Sequence, residues 1–400
     1  MSKPRKILAI FGTRPEAIKM APLVMALQRE NLLSCQVAVT AQHREMLDQV
    51  LGLFKIDAHF DLDIMQAGQT LYDISIRALG GLQSVLEKSR PDMVLVHGDT
   101  TTTFMGALAA YYLQIPVGHV EAGLRSGDKY APFPEEMNRR LTGTLCDLHF
   151  APTETAKQNL LREGHDPESI FVTGNTVIDA LLQTIKPGYV FRDPRLEEIN
   201  NSTDRVIVVT THRRENLGEP MRQIYQAMRD ILREFPDVRI VFPVHKNPAV
   251  REVVDEILGG EERVLLIEPL EYEAFAHLLN LSNIVLTDSG GLQEEAPALG
   301  KPVLVLRDNT ERPEAIAAGT VELVGTAQEN IYRTTCKLLG DDEAYLRMAR
   351  AVNPYGDGKA SQRIIEALSY YWGNTGCRPT AFSPDAPLKN IWLPTKNKKN

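Results

Sequence analysis

Residues 93–99 read MVLVHGD and residues 115–123 read IPVGHVEAG, so each of two apolar runs is followed by a carboxylate. Asp99 and Glu121 are these carboxylates, and a third acid, Glu135, lies in a proline-containing loop farther along the chain. In α/β proteins such positions are strand ends and βα loops, where ligands bind. The pattern predicts a parallel sheet whose functional site contains acidic side chains.

Short β-rich runs alternate with helical patterns along most of the chain, which is typical of βα units around parallel sheets. The first series of predicted strands contains residues 6–11, 36–40, 93–97, 117–120, 148–151 and 170–172, and the second contains residues 206–210, 239–244, 264–267, 284–287, 303–306 and 321–324. The sequence therefore predicts an α/β fold with two Rossmann-like parallel-sheet domains and a central cleft.

The two series set the expected domain boundaries. We expect an N-terminal domain over residues 1–185 and a C-terminal domain over residues 205–358. The segment 186–204 is rich in turn-forming residues and is predicted to be a linker. A helix predicted over residues 359–372 is interpreted as crossing back to the N-terminal domain. Residues 373–400 combine prolines with little apolar material, which predicts a disordered tail.

Bulk composition excludes several classes of protein. The net charge of −8 argues against nucleic acid or a membrane surface as the main partner. No apolar stretch approaches the roughly 18 residues that a membrane helix needs. The cysteines are Cys35, Cys146, Cys336 and Cys377. They are far apart and form no CxxC pair, so we expect no metal site and interpret them as reduced thiols of a cytosolic protein.

The first predicted βα turn reads GTRPE at residues 12–16, and a helical pattern follows it. A helix start of this kind can bind an anion through its backbone amides, and Arg14 and Lys19 add positive charge. The ordinary alternative is a tight turn with a solvated arginine. The glycines of a GxGxxG dinucleotide fingerprint are missing, so no nicotinamide cofactor is predicted.

Polar residues also follow two strands of the second series. His212 and Arg213 come after residues 206–210, and His245 comes after the next strand. A single histidine at a strand end is more often structural or solvated than catalytic. Imidazoles and guanidinium groups at neighbouring strand ends instead favour proton transfer and phosphate binding. His43 and His97 are weaker candidates for the same roles.

The strongest single motif is TDSGGLQEE at residues 287–295. Its glycines allow a phosphate to approach the backbone at the start of a helix, and the Ser289 hydroxyl adds a donor. Glu295 lies one helical turn farther on, where a carboxylate can accept the hydroxyls of a ribose. Phe275 is a candidate neighbour for a flat base, although a lone phenylalanine is more often core, and Arg312 is a candidate phosphate or sugar ligand.

Eight motifs, in order along the chain, together resemble the non-hydrolysing UDP-N-acetylglucosamine 2-epimerases. They are GTRPE at 12–16, QHR at 42–44, HGD at 97–99, EAGLR at 121–125, PEE at 134–136, HRREN at 212–216, DSGG at 288–291 and ERPE at 311–314. The resemblance extends over about residues 6–372. It implies a glycosyltransferase-B-like fold, a homodimer, and reversible conversion of UDP-GlcNAc to UDP-ManNAc without metal or nicotinamide. It also implies a supply of ManNAc-type sugars for bacterial surface polysaccharide.

The implied reaction explains the need for several acids. The hydrogen on C2 of the sugar is not adjacent to a carbonyl, so direct deprotonation is prohibitively difficult. Elimination of UDP gives 2-acetamidoglucal, and re-addition of UDP with protonation from the other face inverts C2. This scheme needs a proton acceptor and a proton donor on opposite faces, and neutralisation of the departing diphosphate.

The resemblance also implies roles for individual residues. It assigns proton transfer and leaving-group contacts to Asp99, Glu121, Glu135 and His212. It assigns substrate binding to Arg14, Lys19, Phe275, Ser289, Gly290, Gly291, Glu295 and Arg312. Some relatives bind a second UDP-GlcNAc as an activator, and Gln42, Glu136, Arg213 and His245 match that site. Glu45 and Gly68 depart from the activated members, so weak or absent activation is expected.

Other activities stay open at this point. A glycosyltransferase of the same fold would share the nucleotide motifs but has no reason to cluster three acids. A hydrolysing epimerase would release UDP and free ManNAc, and a catalytically silent UDP-sugar-binding module would need none of the acids. The closest rival is a 2-epimerase for a modified UDP-GlcNAc, such as a diacetamido-uronic acid or UDP-MurNAc, because its nucleotide contacts would look the same.

Overall fold

The computed structural model describes residues 4–41 and 44–384. These residues form two compact units. The first contains the described chain up to Gln183 together with Tyr355–Ser383, and the second contains Thr184–Pro354. Each unit has its own parallel sheet, with helices in the connections between strands.

In the first unit the described strands pair in parallel, in the order β3-β2-β1-β4-β5-β6-β7. The strands are β1 (Arg5–Phe11), β2 (Leu33–Val39), β3 (Phe60–Asp61), β4 (Met93–His97), β5 (Val117–Val120), β6 (Leu148–Ala151) and β7 (Ile170–Val172). The helices that follow them are α1 (Arg14–Leu27), α2 (Arg44–Phe54), α3 (Leu71–Ser89), α4 (Thr101–Tyr112), α5 (Glu135–Leu145), α6 (Glu154–Arg162) and α7 (Thr176–Thr184).

The centre of this sheet explains the apolar runs of the sequence. Leu8 and Ile10 of β1 and Val94 and Val96 of β4 are buried in one core with apolar residues of α3 and α4. Strands of a parallel sheet are covered on both faces, so they are apolar along nearly their whole length. The buried middle of each of these strands is therefore apolar, and the polar motif at residues 97–99 begins at the last residue of β4.

In the second unit the described strands are also parallel, in the order β10-β9-β8-β11-β12-β13. The strands are β8 (Arg205–Thr210), β9 (Val238–Pro243), β10 (Val264–Ile267), β11 (Ile284–Thr287), β12 (Val303–Val305) and β13 (Val321–Leu323). The helices are α8 (Pro194–Asn200), α9 (Glu219–Glu234), α10 (Pro248–Leu258), α11 (Tyr272–Leu281), α12 (Leu292–Ala298), α13 (Pro313–Ala317), α14 (Gln328–Gly340) and α15 (Asp342–Ala349). Residues of α9, α10 and α14 pack with these strands in one core.

The predicted α/β class and the two parallel sheets are confirmed, and every strand of both predicted series is present. The sequence missed β3, because a two-residue edge strand is too short to give a periodic pattern. Across residues 4–41 and 44–384, no helix has both the length and the apolar character needed to cross a bilayer.

Both sheets contain a point where the strand order reverses. In the first sheet it lies between β1 and β4, and in the second between β8 and β11. Loops that leave neighbouring strands at such a point diverge to opposite faces of the sheet and open a crevice at the carboxyl edge. The residues that follow these strands are therefore the natural places for ligand contacts in each unit.

The last helix of the described chain, α16 (Ala360–Tyr371), belongs to the first unit. It packs against α1, and its first backbone amides bind the buried carboxylate of Asp179 in α7. The donor–acceptor distances are 3.1 Å from Ala360 N and 2.8 Å from Ser361 N. Asp179 thus caps α16 and fixes it to the first unit.

The prediction of a disordered tail from residue 373 is wrong for residues 373–384. Phe382 is buried, and its backbone nitrogen donates to Val172 O at 2.8 Å. Arg378 donates to a carbonyl oxygen of β7 at 2.7 Å. These contacts hold the segment against the sheet despite its prolines. Residues 385–400 lie outside the described residues.

The segment predicted to be a linker, residues 186–204, contains α8 and packs on the second unit. The Tyr189 ring stacks on His277 of α11, with centroids 3.8 Å apart. Lys186 Nζ lies 3.2 Å from a carboxylate oxygen of Glu273 in the same helix. The connection is therefore structured over part of its length.

Replacing Gly123 by alanine should lower the melting temperature more than the matched change Gly164→Ala. Both glycines are left-handed, with φ of +88° and +86°, so both variants lose about 1–2 kcal/mol. A Cβ on Gly123 would lie 2.3 Å from Ala156 O, whereas no described heavy atom lies within 4 Å at Gly164. Overpacking should cost Gly123→Ala about 1–3 kcal/mol more. Equal shifts in thermal unfolding would contradict this explanation.

Candidate active site

The turn after β1 is organised by its own glutamate. Gly12 N and Thr13 N donate to Glu16 Oε2 at 3.1 and 2.8 Å, which forms a capping box at the start of α1. The hydroxyls of Thr100 and Thr103 donate to Oε1 of the same carboxylate at 2.7 and 3.2 Å. These two amides are therefore bound by Glu16, and the anion contact of Arg14 at this turn stays a prediction. The turn joins the loops after β1 and β4.

Glu121 directly follows β5 and is the best-defined candidate acid. It is 8% exposed, and its φ of +64° is uncommon for a residue with a side chain. Its Oε2 accepts from Lys19 Nζ at 2.5 Å and from Asn175 Nδ2 at 2.8 Å. Backbone strain of this kind is tolerated where the surroundings fix it, and it is concentrated at functional sites. Lys19, expected from sequence to contact the diphosphate, is here the ion-pair partner of Glu121.

His97, at the end of β4, places an uncharged imidazole beside this acid. Its Nε2 lies 3.7 Å from Glu121 Oε2. Burial lowers the pKa of His97 to about 4, against the opposing effect of Glu121, so the ring is neutral near pH 7. Neither ring nitrogen has a hydrogen-bond partner among the described residues. His97 therefore has greater weight as a site residue than the sequence suggested.

Asp99 is held by α5 and by the neighbouring strand. Its carboxylate forms an ion pair with Arg139, and its carbonyl oxygen accepts from Asn138 Nδ2 at 2.9 Å. His119 Nε2 donates to Gly98 O at 2.7 Å, one residue earlier. Burial lowers the pKa of His119 to about 4, so this donor is a neutral imidazole. The carbonyl groups of Gly98 and Asp99 are thus both fixed by hydrogen bonds from side chains.

Glu135 is the first residue of α5, the helix that also supplies the contacts to Asp99. Its carboxylate atom Oε2 is buried and has no hydrogen-bond partner among the described residues. A buried carboxylate oxygen without a donor is costly, and a substrate hydroxyl or amide would satisfy it. The structure therefore connects Asp99 and Glu135 through one helix.

Glu136, the next residue, has a different environment. It is fully buried, and its carboxylate accepts from Ser126 N at 2.9 Å. Arg139 and Arg140 lie 3.6 and 3.5 Å from it. Glu136 thus stabilises the loop before α5 through groups of its own unit. Gln42, which the resemblance assigned to the same second ligand site, lies outside the described residues.

In the second unit, Asp288 organises the switch point between β8 and β11. It is fully buried, and its carboxylate accepts from His212 N and Arg213 N, each at 2.9 Å, and from Asn216 Nδ2 at 3.1 Å. A buried carboxylate with three donors fixes the backbone of the loop after β8. The sequence placed Asp288 in the motif at residues 287–295, but its contacts with the loop after β8 were not predicted.

The same carboxylate orients the His212 ring. His212 Nδ1 lies 3.2 Å from Asp288 Oδ1, which favours the tautomer with its proton on Nδ1 and leaves Nε2 as the acceptor. Burial lowers the pKa of His212 while Asp288 opposes the shift, so the neutral ring is favoured. The His245 ring stacks nearby with centroids 5.8 Å apart, and its Nδ1 accepts from Asn247 N at 3.1 Å.

The Ser289-Gly290-Gly291 turn lies between β11 and α12, beside a guanidinium group. A Cβ on Gly290 would be 3.9 Å from Arg213 Nη2, so the glycine and the guanidinium group are direct neighbours. Arg213 Nη2 is also 4.0 Å from Glu311 Oε1. The turn thus combines backbone accessible to a ligand with a cation, as expected for binding a phosphate.

The other predicted binding residues of this unit have partners within it. Arg312 forms an ion pair with the buried carboxylate of Glu294. Burial and the nearby Glu295 carboxylate raise the pKa of Tyr272 in α11 well above its usual value. Phe275, on the same helix, is half-buried. Arg14 in the first unit is also half-buried.

Sequence reasoning missed four residues that orient the candidate acids. They are His119, Asn138, Arg139 and Asn175. Asn175 follows a predicted strand within TGNT at residues 173–176, and a Gly-Asn pair at a strand end was a signal that could have been used. Asn138 and Arg139 lie inside a helix and give no local signal.

Comparisons with known proteins agree with these motifs. The family model for UDP-N-acetylglucosamine 2-epimerase matches residues 25–369. A UDP-N-acetylglucosamine 2-epimerase of Bacillus subtilis is 56% identical over 381 residues, which is 95% of this chain and 99% of that protein. A crystal structure of a Listeria monocytogenes protein has a TM-score of 0.91 at 53% identity and covers 95% of this chain and 100% of its own.

Some solved relatives contain a ligand. One of them is the UDP-GlcNAc 2-epimerase from Neisseria meningitidis bound to UDP-GlcNAc, with a TM-score of 0.80 and 50% identity over 91% of this chain and 99% of its own. The family match extends over most of the chain, and these relatives are matched over nearly their whole length. The chain therefore belongs to the UDP-N-acetylglucosamine 2-epimerase family, a family of isomerases.

Proposed function

We propose that this protein interconverts UDP-GlcNAc and UDP-ManNAc by eliminating UDP to 2-acetamidoglucal and adding it back. The observation that carries the proposal is the buried Glu121 carboxylate in a left-handed backbone position, bound by Lys19 and close to His97. Relatives named UDP-N-acetylglucosamine 2-epimerase, one of them with UDP-GlcNAc bound, supply the substrate class. An ionised acid of this kind is suited to accept a proton from carbon C2.

Acids of the first unit transfer the protons in this scheme. Glu121 is one member of the acid–base pair, and Asp99, paired with Arg139, or Glu135, with its unpartnered inner oxygen, supplies the opposite face. Inversion at C2 requires that the proton leave one face and return to the other. The neutral His97 ring can donate one hydrogen bond to a substrate oxygen without adding charge.

Groups of the second unit bind the nucleotide in this scheme. Arg213 and the Ser289-Gly290-Gly291 turn contact the diphosphate, and Glu295 accepts the ribose hydroxyls, with Phe275 near the uracil. His212, whose Nδ1 faces Asp288, contributes to the leaving-group contacts. Arg312 acts through Glu294, which it neutralises, or on the sugar directly. The UDP-ManNAc product then supplies ManNAc-type sugars for surface polysaccharide.

Nuclear magnetic resonance of the reaction mixture tests this function. Purified protein incubated with UDP-GlcNAc and a chelator, without added cofactor, should form UDP-ManNAc until a fixed ratio of the two nucleotide sugars is reached. Release of free ManNAc with UDP would indicate hydrolysis instead. No change in UDP-GlcNAc would contradict the proposed substrate, and a modified UDP-GlcNAc would then be tried.

Amide variants provide the controls for this assay. Asp99→Asn, Glu121→Gln and Glu135→Gln should each lower turnover by at least about 100-fold if the acids transfer protons. Glu154→Gln changes an exposed acid at the start of α6 and should leave turnover unchanged. An acid variant that keeps wild-type turnover would remove that residue from the mechanism.

We also propose that the protein is a homodimer formed through α3 and α4. These helices pack side by side and expose large side chains: Tyr72 and Ile76 on α3 are 81% and 71% exposed, and Tyr111 and Tyr112 on α4 are 58% and 65% exposed. Exposed apolar groups on neighbouring helices are typical of an interface.

Light scattering of the wild-type protein should give twice the mass of one chain. The variant Ile76→Glu, which places a charge on this surface, should give about the mass of one chain. A wild-type monomer would contradict the proposal.

A further inference from the structure

Asn175 is a buried amide in the loop between β7 and α7. It is 2% exposed and follows Gly174, whose φ is +84°. Its Nδ2 donates to Glu121 Oε2 at 2.8 Å, the same oxygen that binds Lys19. A residue distant in sequence from the three candidate acids therefore contacts one of them directly.

The orientation of this amide is fixed from the other side. Val177 N donates to Asn175 Oδ1 at 3.1 Å, so the carbonyl end of the amide faces the start of α7. The NH₂ end must then face Glu121, because only a donor can satisfy a carboxylate oxygen. The backbone nitrogen of Asn175 donates to Tyr355 O at 2.7 Å, which anchors the loop. Asparagine meets both requirements, whereas aspartate meets only the one at Val177.

The charges around Glu121 show what this donor adds. Lys19, from α1, supplies one positive charge, with its Nζ 2.5 Å from Glu121 Oε2. His97, from β4, has its Nε2 3.7 Å from the same oxygen, and its ring is neutral near pH 7. Both of these titratable side chains belong to elements that pack beside the Glu121 carboxylate. A hydrogen bond from an uncharged amide favours the ionised carboxylate without adding a second group that titrates. It also limits rotation of the carboxylate about its own bond.

We propose that Asn175 is a positioning residue, which keeps Glu121 ionised and holds its carboxylate in one orientation for proton transfer. This proposal rests on the proposed function, because it requires that Glu121 exchange a proton with the substrate. Asn175 itself does not transfer a proton. It acts through Oε2 of Glu121, together with Lys19.

The near-isosteric change Asn175→Asp separates this role from a structural one. Aspartate keeps the acceptor for Val177 N, and so keeps the start of α7, but it replaces the donor by a second carboxylate. Like charges raise the pKa of the pair, so Glu121 will need a higher pH to ionise. We expect kcat/KM at pH 7 to fall at least about tenfold, and the acid limb of its pH profile to move up by about one unit or more. An unmoved acid limb in the folded variant would overturn the proposal.

A second variant keeps the test decisive if Asn175→Asp does not fold. Asn175→Ala removes the donor without adding charge, so the acid limb should move in the same direction by a smaller amount. A lower kcat/KM with an unmoved limb would show a structural role only. Glu121→Gln separates the two proposals. If this variant keeps turnover, the proposed role of Glu121 in proton transfer is wrong. If it abolishes turnover while both Asn175 variants keep the acid limb of the wild-type pH profile, only the positioning role of Asn175 is wrong.

Discussion

The ion pair between Glu121 and Lys19 is the interaction on which the first unit's site depends. A carboxylate removed from water costs several kcal/mol unless opposite charge and hydrogen bonds replace the solvent. Lys19 supplies the charge from α1, and Asn175 supplies a further hydrogen bond from the loop before α7. Three segments that are far apart in sequence therefore meet at one oxygen atom. The left-handed backbone at Glu121 is maintained because these contacts fix its side chain.

Both units use the same arrangement, a buried carboxylate at the carboxyl edge of a parallel sheet. Asp288 in the second unit binds the loop after β8, as Glu121 in the first unit binds α1. The two acids nevertheless have different surroundings. The donors to Asp288 are backbone amides, an amide side chain and the His212 ring, which suits a structural acid that orients His212, whereas Glu121 is paired with a lysine.

The sequence predicted the fold well because buried parallel strands leave a clear apolar pattern. It also located Asp99, Glu121 and Asp288, since each follows such a strand. It did not predict the partners of these acids. Arg139 lies on a helix and Asn175 in a loop beyond the sixth predicted strand, and their contacts depend on tertiary packing. For the same reason the capping role of Glu16 was not predicted.

The central claim is that acids of the first unit remove and return the proton at C2, and the most direct measurement is isotope incorporation. The protein is incubated with UDP-GlcNAc in heavy water, and the UDP-ManNAc formed is examined by proton NMR and mass spectrometry. The claim predicts one deuterium at C2 of the product, because the proton taken by the enzyme exchanges with solvent or is replaced from the opposite face by a solvent-exchanged acid. UDP-ManNAc that retains the original hydrogen at C2 would contradict it.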